Sequence, residues 1–219
     1  AVNFSRIGFR AGLMVPILIW SFYFLIKGFN SRKYFYFILA GISFGLGFYT
    51  YIPFRFAPIL ALLAFGPLLL RRKSPASAKA SAGKKKLWIG ILVFVGAIFL
   101  VALPIGLYFL HNPGDFFGRS PGVSIFSSSS PLKAAAVSVV ETLGMFNIIG
   151  DFNWRHNYAG APELFLPMGL LFLLGIWLSI KRREFKDEFL LSWLAIFLLP
   201  NILTAEGNPH ALRALGAMP

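Results

Sequence analysis

Two short stretches place a carboxylate and a guanidinium four positions apart. Gly114–Arg119 reads G-D-F-F-G-R, and Gly150–Arg155 reads G-D-F-N-W-R with His156 immediately after it. If these turns are helical, Asp115 reaches Arg119 and Asp151 reaches Arg155. The simplest outcome is a pair of local ion pairs that brace a loop, each contributing about 0–1 kcal/mol when exposed. The chemical alternative is that Arg119 or Arg155 grips a phosphate or phosphodiester, which the planar guanidinium fork fits well. Asp151 and His156 are also near enough in sequence to share a divalent metal, the one cofactor these residues suggest; the simpler role of His156 is that of a hydrogen-bonding loop residue. The tail T-A-E-G-N-P-H-A-L-R, Thr204–Arg213, adds Glu206, His210 and Arg213.

The frame that must position these groups is apolar. Of 219 residues, 57% are hydrophobic, 17% aromatic and only 13% charged, with a mean hydropathy of +0.71. A water-soluble domain cannot hide that much apolar surface in one core, so the composition reads as an integral membrane protein in contact with a lipid bilayer. The net charge of +13 does not indicate nucleic acid, because Lys and Arg fall between apolar runs rather than along one soluble face. The absence of Cys removes disulfides and thiolate chemistry, and three scattered His residues show no zinc-site spacing. The chain starts without Met and stops just after a polar segment, which reads as a piece of a longer protein.

Six apolar runs approach the roughly 17–25 residues needed to cross a bilayer: 11–26, 34–51, 54–70, 87–110, 164–180 and 189–204. Residues 1–110 are thus expected to hold an outer segment and four transmembrane helices, with a flexible basic loop at 71–86. Residues 111–163 form a long loop, 164–204 two further transmembrane helices, and 205–219 an outer segment. The connections 27–33, 71–86 and 181–188 alternate onto one face and carry 14 of the 21 Lys and Arg, so they belong in the cytoplasm. Trp88, Trp177 and Trp193 near those ends suit an aromatic belt. Residues 111–163 are then extracytoplasmic in a multi-pass cell-membrane protein. Gly41, Gly45 and Gly47 in the second run are expected to admit a neighbouring helix closely.

The 53-residue loop is too long for a plain connection, and its Phe, Trp, Ile and Met content argues for order. Within it, Ser130, Pro131 and Gly144 mark the cap, first turn and end of an amphipathic helix with Leu132, Ala136, Val139, Val140 and Leu143 along one side. It should lie on the outer surface. Arg55 is also unusual: it sits at the outer, N-terminal end of a span, where the helix dipole disfavours a cation. Either an anion lies close, or the side chain snorkels to the surface between Tyr49 and Tyr51. For Arg6 and Arg10, ordinary contact with lipid headgroups suffices.

Four strings, Y-T-Y-I-P-F-R (Tyr49–Arg55), H-N-P-G-D-F-F-G-R-S (His111–Ser120), F-N-I-I-G-D-F-N-W-R-H-N-Y-A-G-A-P (Phe146–Pro162) and P-H-A-L-R (Pro209–Arg213), resemble the bacterial family 39 type glycosyltransferases. These are relatives of protein O-mannosyltransferases and of the lipid A aminoarabinose transferase. The resemblance implies an all-α, polytopic GT-C-like bundle with an extracytoplasmic loop region, and transfer of a sugar from a polyprenyl-phosphate-linked donor. It implies an acidic residue in the first outer loop to activate the acceptor. No acidic residue precedes Asp115 here, so that group is expected before residue 1 and no catalytic residue is assigned. Arg55, Arg119, Asp151, Arg155, His156, His210 and Arg213 are the expected substrate-binding residues, with the guanidinium groups on donor phosphate. A polytopic transporter or lipid flippase is the alternative, although its midplane charges and repeated halves are not evident. A third is an inert membrane scaffold with a binding ectodomain.

Overall fold

The computed structural model describes residues 10–70, 78–118, 120–156 and 158–218; Arg6, Arg119 and residues 71–77 of the basic loop lie outside the described residues. The fold is all-helical. Among the described residues, strand-like pairing is confined to a single antiparallel bridge, Ser124 to Thr204. The chain divides into two compact units, residues 13–113 and residues 114–219 with 1–12.

Among its described residues the first unit holds four helices: α1 (Met14–Ser31), α2 (Tyr34–Gly47), α3 (Ala57–Leu70) and α4 (Ala78–His111). Among the described residues, two segments, Arg10–Ser31 and Lys85–His111, are long and apolar enough to cross a membrane, while Tyr34–Gly47 and Ile52–Gly66 are apolar but shorter. Helix α4 begins at Ala78, so the flexible loop expected through residue 86 is helical over its second half. The reason lies in composition: Ala and Lys are strong helix formers and extend the apolar span backwards. Helix α1 stops where Arg32 turns left-handed, at φ 57°, with its N–H bonded to the Gly28 carbonyl, and α2 starts two residues later.

Helix α2 packs between α1 and α4, and its glycines set the spacing. A Cβ on Gly41 would stand 2.5 Å from the Phe94 carbonyl oxygen and 2.6 Å from Ala97 Cβ; one on Gly45 would stand 2.7 Å from Val101 Cβ. Gly47 instead makes room for the Phe54 ring. Phe44 lies between Phe22, Phe54 and Phe94, edge-on to each, and Phe37 and Phe54 are fully buried. Arg55 lies in the 3-10 turn Ile52–Phe56 ahead of α3. Its guanidinium sits 5.5 Å from the centre of the Phe109 ring, a cation–π contact. The Tyr49 hydroxyl donates to the Val101 carbonyl at 2.8 Å.

The second unit holds α5 (Pro131–Gly144), α6 (Leu166–Arg182) and α7 (Phe185–Ile202), with short turns around them. Helix α7 starts four residues earlier than the apolar run 189–204 because Glu184 and Asp187 form a capping box. Helix α5 occupies the expected stretch, but the Ser130 side chain makes no capping hydrogen bond. Its small polar residues face inward and its apolar residues outward: Ser138 and Thr142 are buried, while Leu132, Val140 and Leu143 are exposed. Trp193 does not join an interfacial belt. It is buried against Phe189 and Phe197, and its Nε1–H donates to the Gly216 carbonyl at 2.7 Å. The tail therefore bends back along α7, burying Ala211, Ala214, Leu215 and Ala217.

The glycine contacts predict opposite signs for the same substitution. Ala is favoured over Gly in a helix interior by about 1 kcal/mol, so Gly96→Ala on α4, which meets nothing within 4 Å, should leave the thermal midpoint unchanged or raise it. Gly41→Ala should lower the midpoint, because the Phe94 backbone cannot yield. Thermal unfolding of the two variants in one detergent makes the comparison.

Candidate functional site

The loop after α5 is tied off before it carries any chemistry. At its base, the Glu163 N–H donates to the Met145 carbonyl at 2.9 Å and the Leu164 N–H to the Phe146 carbonyl at 3.0 Å. Further in, the Gly150 N–H donates to the Gly160 carbonyl and the Gly160 N–H to the Asp151 carbonyl. Gly150 must lack a side chain, since a Cβ there would collide with the Ala161 carbonyl. Asp151 and Asn153 then form successive Asx turns: Asp151 Oδ1 accepts from the Asn153 N–H at 2.7 Å, and Asn153 Oδ1 accepts from the Arg155 N–H at 3.1 Å.

This turn geometry decides which partner Asp151 takes. The ion pair expected with Arg155 requires a helical turn; here the Arg155 side chain is exposed and the ring of His156 turns in. His156 Nδ1 lies 2.7 Å from Asp151 Oδ2, and both side chains are buried. A carboxylate only accepts, so Nδ1 carries the proton and donates it. Asp151 Oδ2 also accepts from the Ala211 N–H, 60 positions along the chain, at 2.9 Å.

That bond seats His210 beside the loop. The tail reaches this point through the bridge between Ser124 and Thr204 and through a buried amide network. The Asn201 amide donates to Thr142 Oγ1 at 3.0 Å, Ser138 Oγ donates to the Thr204 carbonyl at 3.0 Å, and the Asn208 amide donates to Ser138 Oγ and to the Asn201 carbonyl. The rings of His156 and His210 face each other with centres 4.7 Å apart. His210 Nδ1 is 3.9 Å from Asp151 Oδ2, buried, and without a hydrogen-bond partner. One ligand atom from each of Asp151, His156 and His210 lies within 4.8 Å of the others, a set that could hold a metal ion.

A cavity of about 420 Å³ opens beside this cluster, lined by Asp151, Phe152, Asn153, Glu206, His210 and Arg213 among others. Arg213 Nη1 donates to the Glu206 carbonyl at 2.9 Å, which holds the guanidinium at the wall. Burial first, and then the Arg213 charge, lower the His210 pKa from 6.5 to about 4. His210 is therefore neutral at pH 7, a lone-pair donor or hydrogen-bonding group rather than a cation.

Of the residues singled out in the sequence, the structure brings Asp151, His156, His210 and Arg213 together. Arg155 does not line the cavity, Arg119 is outside the described residues, and Arg55 belongs to the other unit. Asn153 and Ala211 were not anticipated. The D-x-N spacing of an Asx turn was available as a signal for Asn153; a backbone donor such as Ala211 leaves none.

A group whose folded pKa is depressed below its unfolded value takes up its proton preferentially in the unfolded chain. Stability contributed by neutral His210 is complete above about pH 6.5 and drains away as the pH falls toward about 4. Thermal midpoints measured between pH 7.5 and 4.5 should fall less steeply for His210→Gln than for the unaltered protein; parallel profiles would contradict this. No protein-family model, curated protein or solved structure matches the chain, so the site is read from its own geometry.

Proposed function

We propose that this chain is a multi-pass membrane glycosyltransferase that takes a sugar from a polyprenyl-phosphate-linked donor at the extracytoplasmic face. The observation that carries the reading is the cavity in which Arg213, Glu206, Asn153, Asp151 and His210 meet beside an exposed aromatic, Phe152. Such a lining suits a phosphosugar. Arg213 offers a charge-assisted donor to phosphate oxygens, the Glu206 carboxylate and Asn153 amide suit sugar hydroxyls, and the Phe152 ring gives an apolar face against which a pyranose can lie.

Three further observations support the setting. Two segments suffice in length and apolarity to cross a bilayer, and large apolar side chains along α4 and α6 are exposed, among them Leu92, Leu100, Leu110 and Leu171. A bilayer is the solvent in which such surfaces cost nothing. The outward apolar face of α5 suits a helix at the lipid interface, next to which a lipid-borne donor arrives. The likeness of the Tyr49–Arg55, His111–Ser120, Phe146–Pro162 and Pro209–Arg213 strings to family 39 type enzymes points to the same donor class.

In this reading the protein's part in catalysis is to make phosphate a better leaving group. As the bond from the sugar carbon to the phosphate oxygen breaks, negative charge grows on that oxygen, and a fixed guanidinium stabilises it without reorganisation. Losing one charge-assisted bond costs about 1.5–3 kcal/mol, or roughly 10- to 100-fold in affinity. Titration of a polyprenyl-phosphate sugar should show that loss for Arg213→Ala and little change for Arg155→Ala. Equal affinity of the Arg213→Ala and unaltered proteins would overturn the assignment.

A further inference from the structure

The geometry points to a divalent transition-metal site of zinc type, built from the Asp151 carboxylate and one ring nitrogen each of His156 and His210. Three features of the cluster argue for it. Its ligand set is two imidazoles and a carboxylate, the combination that suits zinc and its neighbours; magnesium and calcium prefer all-oxygen cages. His210 Nδ1 is buried with no hydrogen-bond partner, and leaving such a group unsatisfied is costly unless something accepts its lone pair. The carboxylate is already oriented by outer partners, the N–H groups of Asn153 and Ala211, as the ligands of metal sites are.

The distances allow closure. Zinc bonds of about 2.0–2.2 Å set tetrahedral ligand atoms roughly 3.4 Å apart, whereas these three lie within 4.8 Å of one another. The 2.7 Å contact of His156 Nδ1 with Asp151 Oδ2 is a hydrogen bond, so metal binding through Nδ1 releases its proton to solvent and widens that contact, while His210 Nδ1, now 3.9 Å from the same oxygen, moves in. The His210 side chain is about a fifth exposed, more than either of the other two, so a ring shift of about 1 Å is within its rotamer freedom. Three protein ligands leave a position on the cavity side for water or a ligand oxygen, the arrangement of metal sites that act on substrates. His111, at the end of α4, contributes nothing; its Nδ1 pairs with the Leu107 carbonyl at 2.8 Å.

The metal site stands whether or not the cavity accepts a lipid-linked sugar, and its test uses no sugar. Tag-free protein in detergent, stripped with chelator, is titrated with zinc by calorimetry and with cobalt by visible absorption. One equivalent of zinc and the ligand-field bands of a low-coordinate cobalt ion are expected. His210→Gln and His156→Gln should each weaken zinc by more than the roughly 10- to 100-fold that loss of an outer partner costs, and His111→Gln should leave it unchanged. Zinc should also raise the thermal midpoint of the unaltered protein and not that of His210→Gln. Failure of the unaltered protein to bind zinc, or equal loss in His111→Gln, would overturn the proposal even if the other variants did not fold. Intact donor binding together with absent zinc binding would remove the metal site alone.

Discussion

The site depends on one buried carboxylate. Removing Asp151 from water carries an effective penalty of several kcal/mol unless its oxygens are satisfied. The chain meets that cost from two distant places: Asn153 and His156 in its own loop, and the N–H of Ala211, 60 positions on. The loop and the tail are therefore not independent. Each supplies what the other needs to bury a polar group, and the cavity between Asp151 and Arg213 exists only when both are in place.

The same logic explains the inside-out character of α5. A helix of this composition in water would turn Leu132, Val140 and Leu143 toward its neighbours; here it presents Ser138 and Thr142 to α7 and the tail. At the lipid interface proposed for α5, burying those leucines and valines would bring little gain, while an unsatisfied hydroxyl or amide is expensive. The internal contacts are consequently made by Ser138, Thr142, Asn201 and Asn208, whose bonds fix where the tail leaves α7. Unlike an apolar interface, which tolerates sliding, such a network fixes position to within hydrogen-bond tolerance. That accuracy is what a site made from two separate segments requires.

Much of the helical plan was legible because apolar runs of limited length, Pro131 and Gly144, and the glycines of α2 each carry a local physical meaning. The site was legible only in part. Asp151, His156, His210 and Arg213 stood out as polar groups in an oily chain, but their pairing did not. The i,i+4 rule connected Asp151 to Arg155, whereas D-F-N-W-R forms two Asx turns that carry Arg155 outward and His156 inward. His210 lies 54 residues beyond His156, so no spacing rule could join them; the tail's docking against α5 and α7 does. Trp193 failed as a belt residue for a similar reason, since its partner, Gly216, is visible only once the tail folds back.

The charge balance of the cavity gives these pieces a common sense. Asp151 and Glu206 bring two carboxylates, Arg213 one guanidinium, and His210 is kept neutral by burial and by Arg213 itself. The charge of Asp151 is directed into hydrogen bonds, so in the proposed reading Arg213 is the group that meets the donor phosphate while Glu206 repels it. A phosphate bound there gains from any further positive charge near Asp151. A proton cannot provide it at neutral pH, because the surroundings that lower the His210 pKa oppose protonation. They leave the lone pair of His210 available, however, and the proposed cation, bound by Asp151 and His156 as well, would offset its lost hydration with three ligand bonds. His210 thus carries no competing proton at neutral pH, the state a ligand needs.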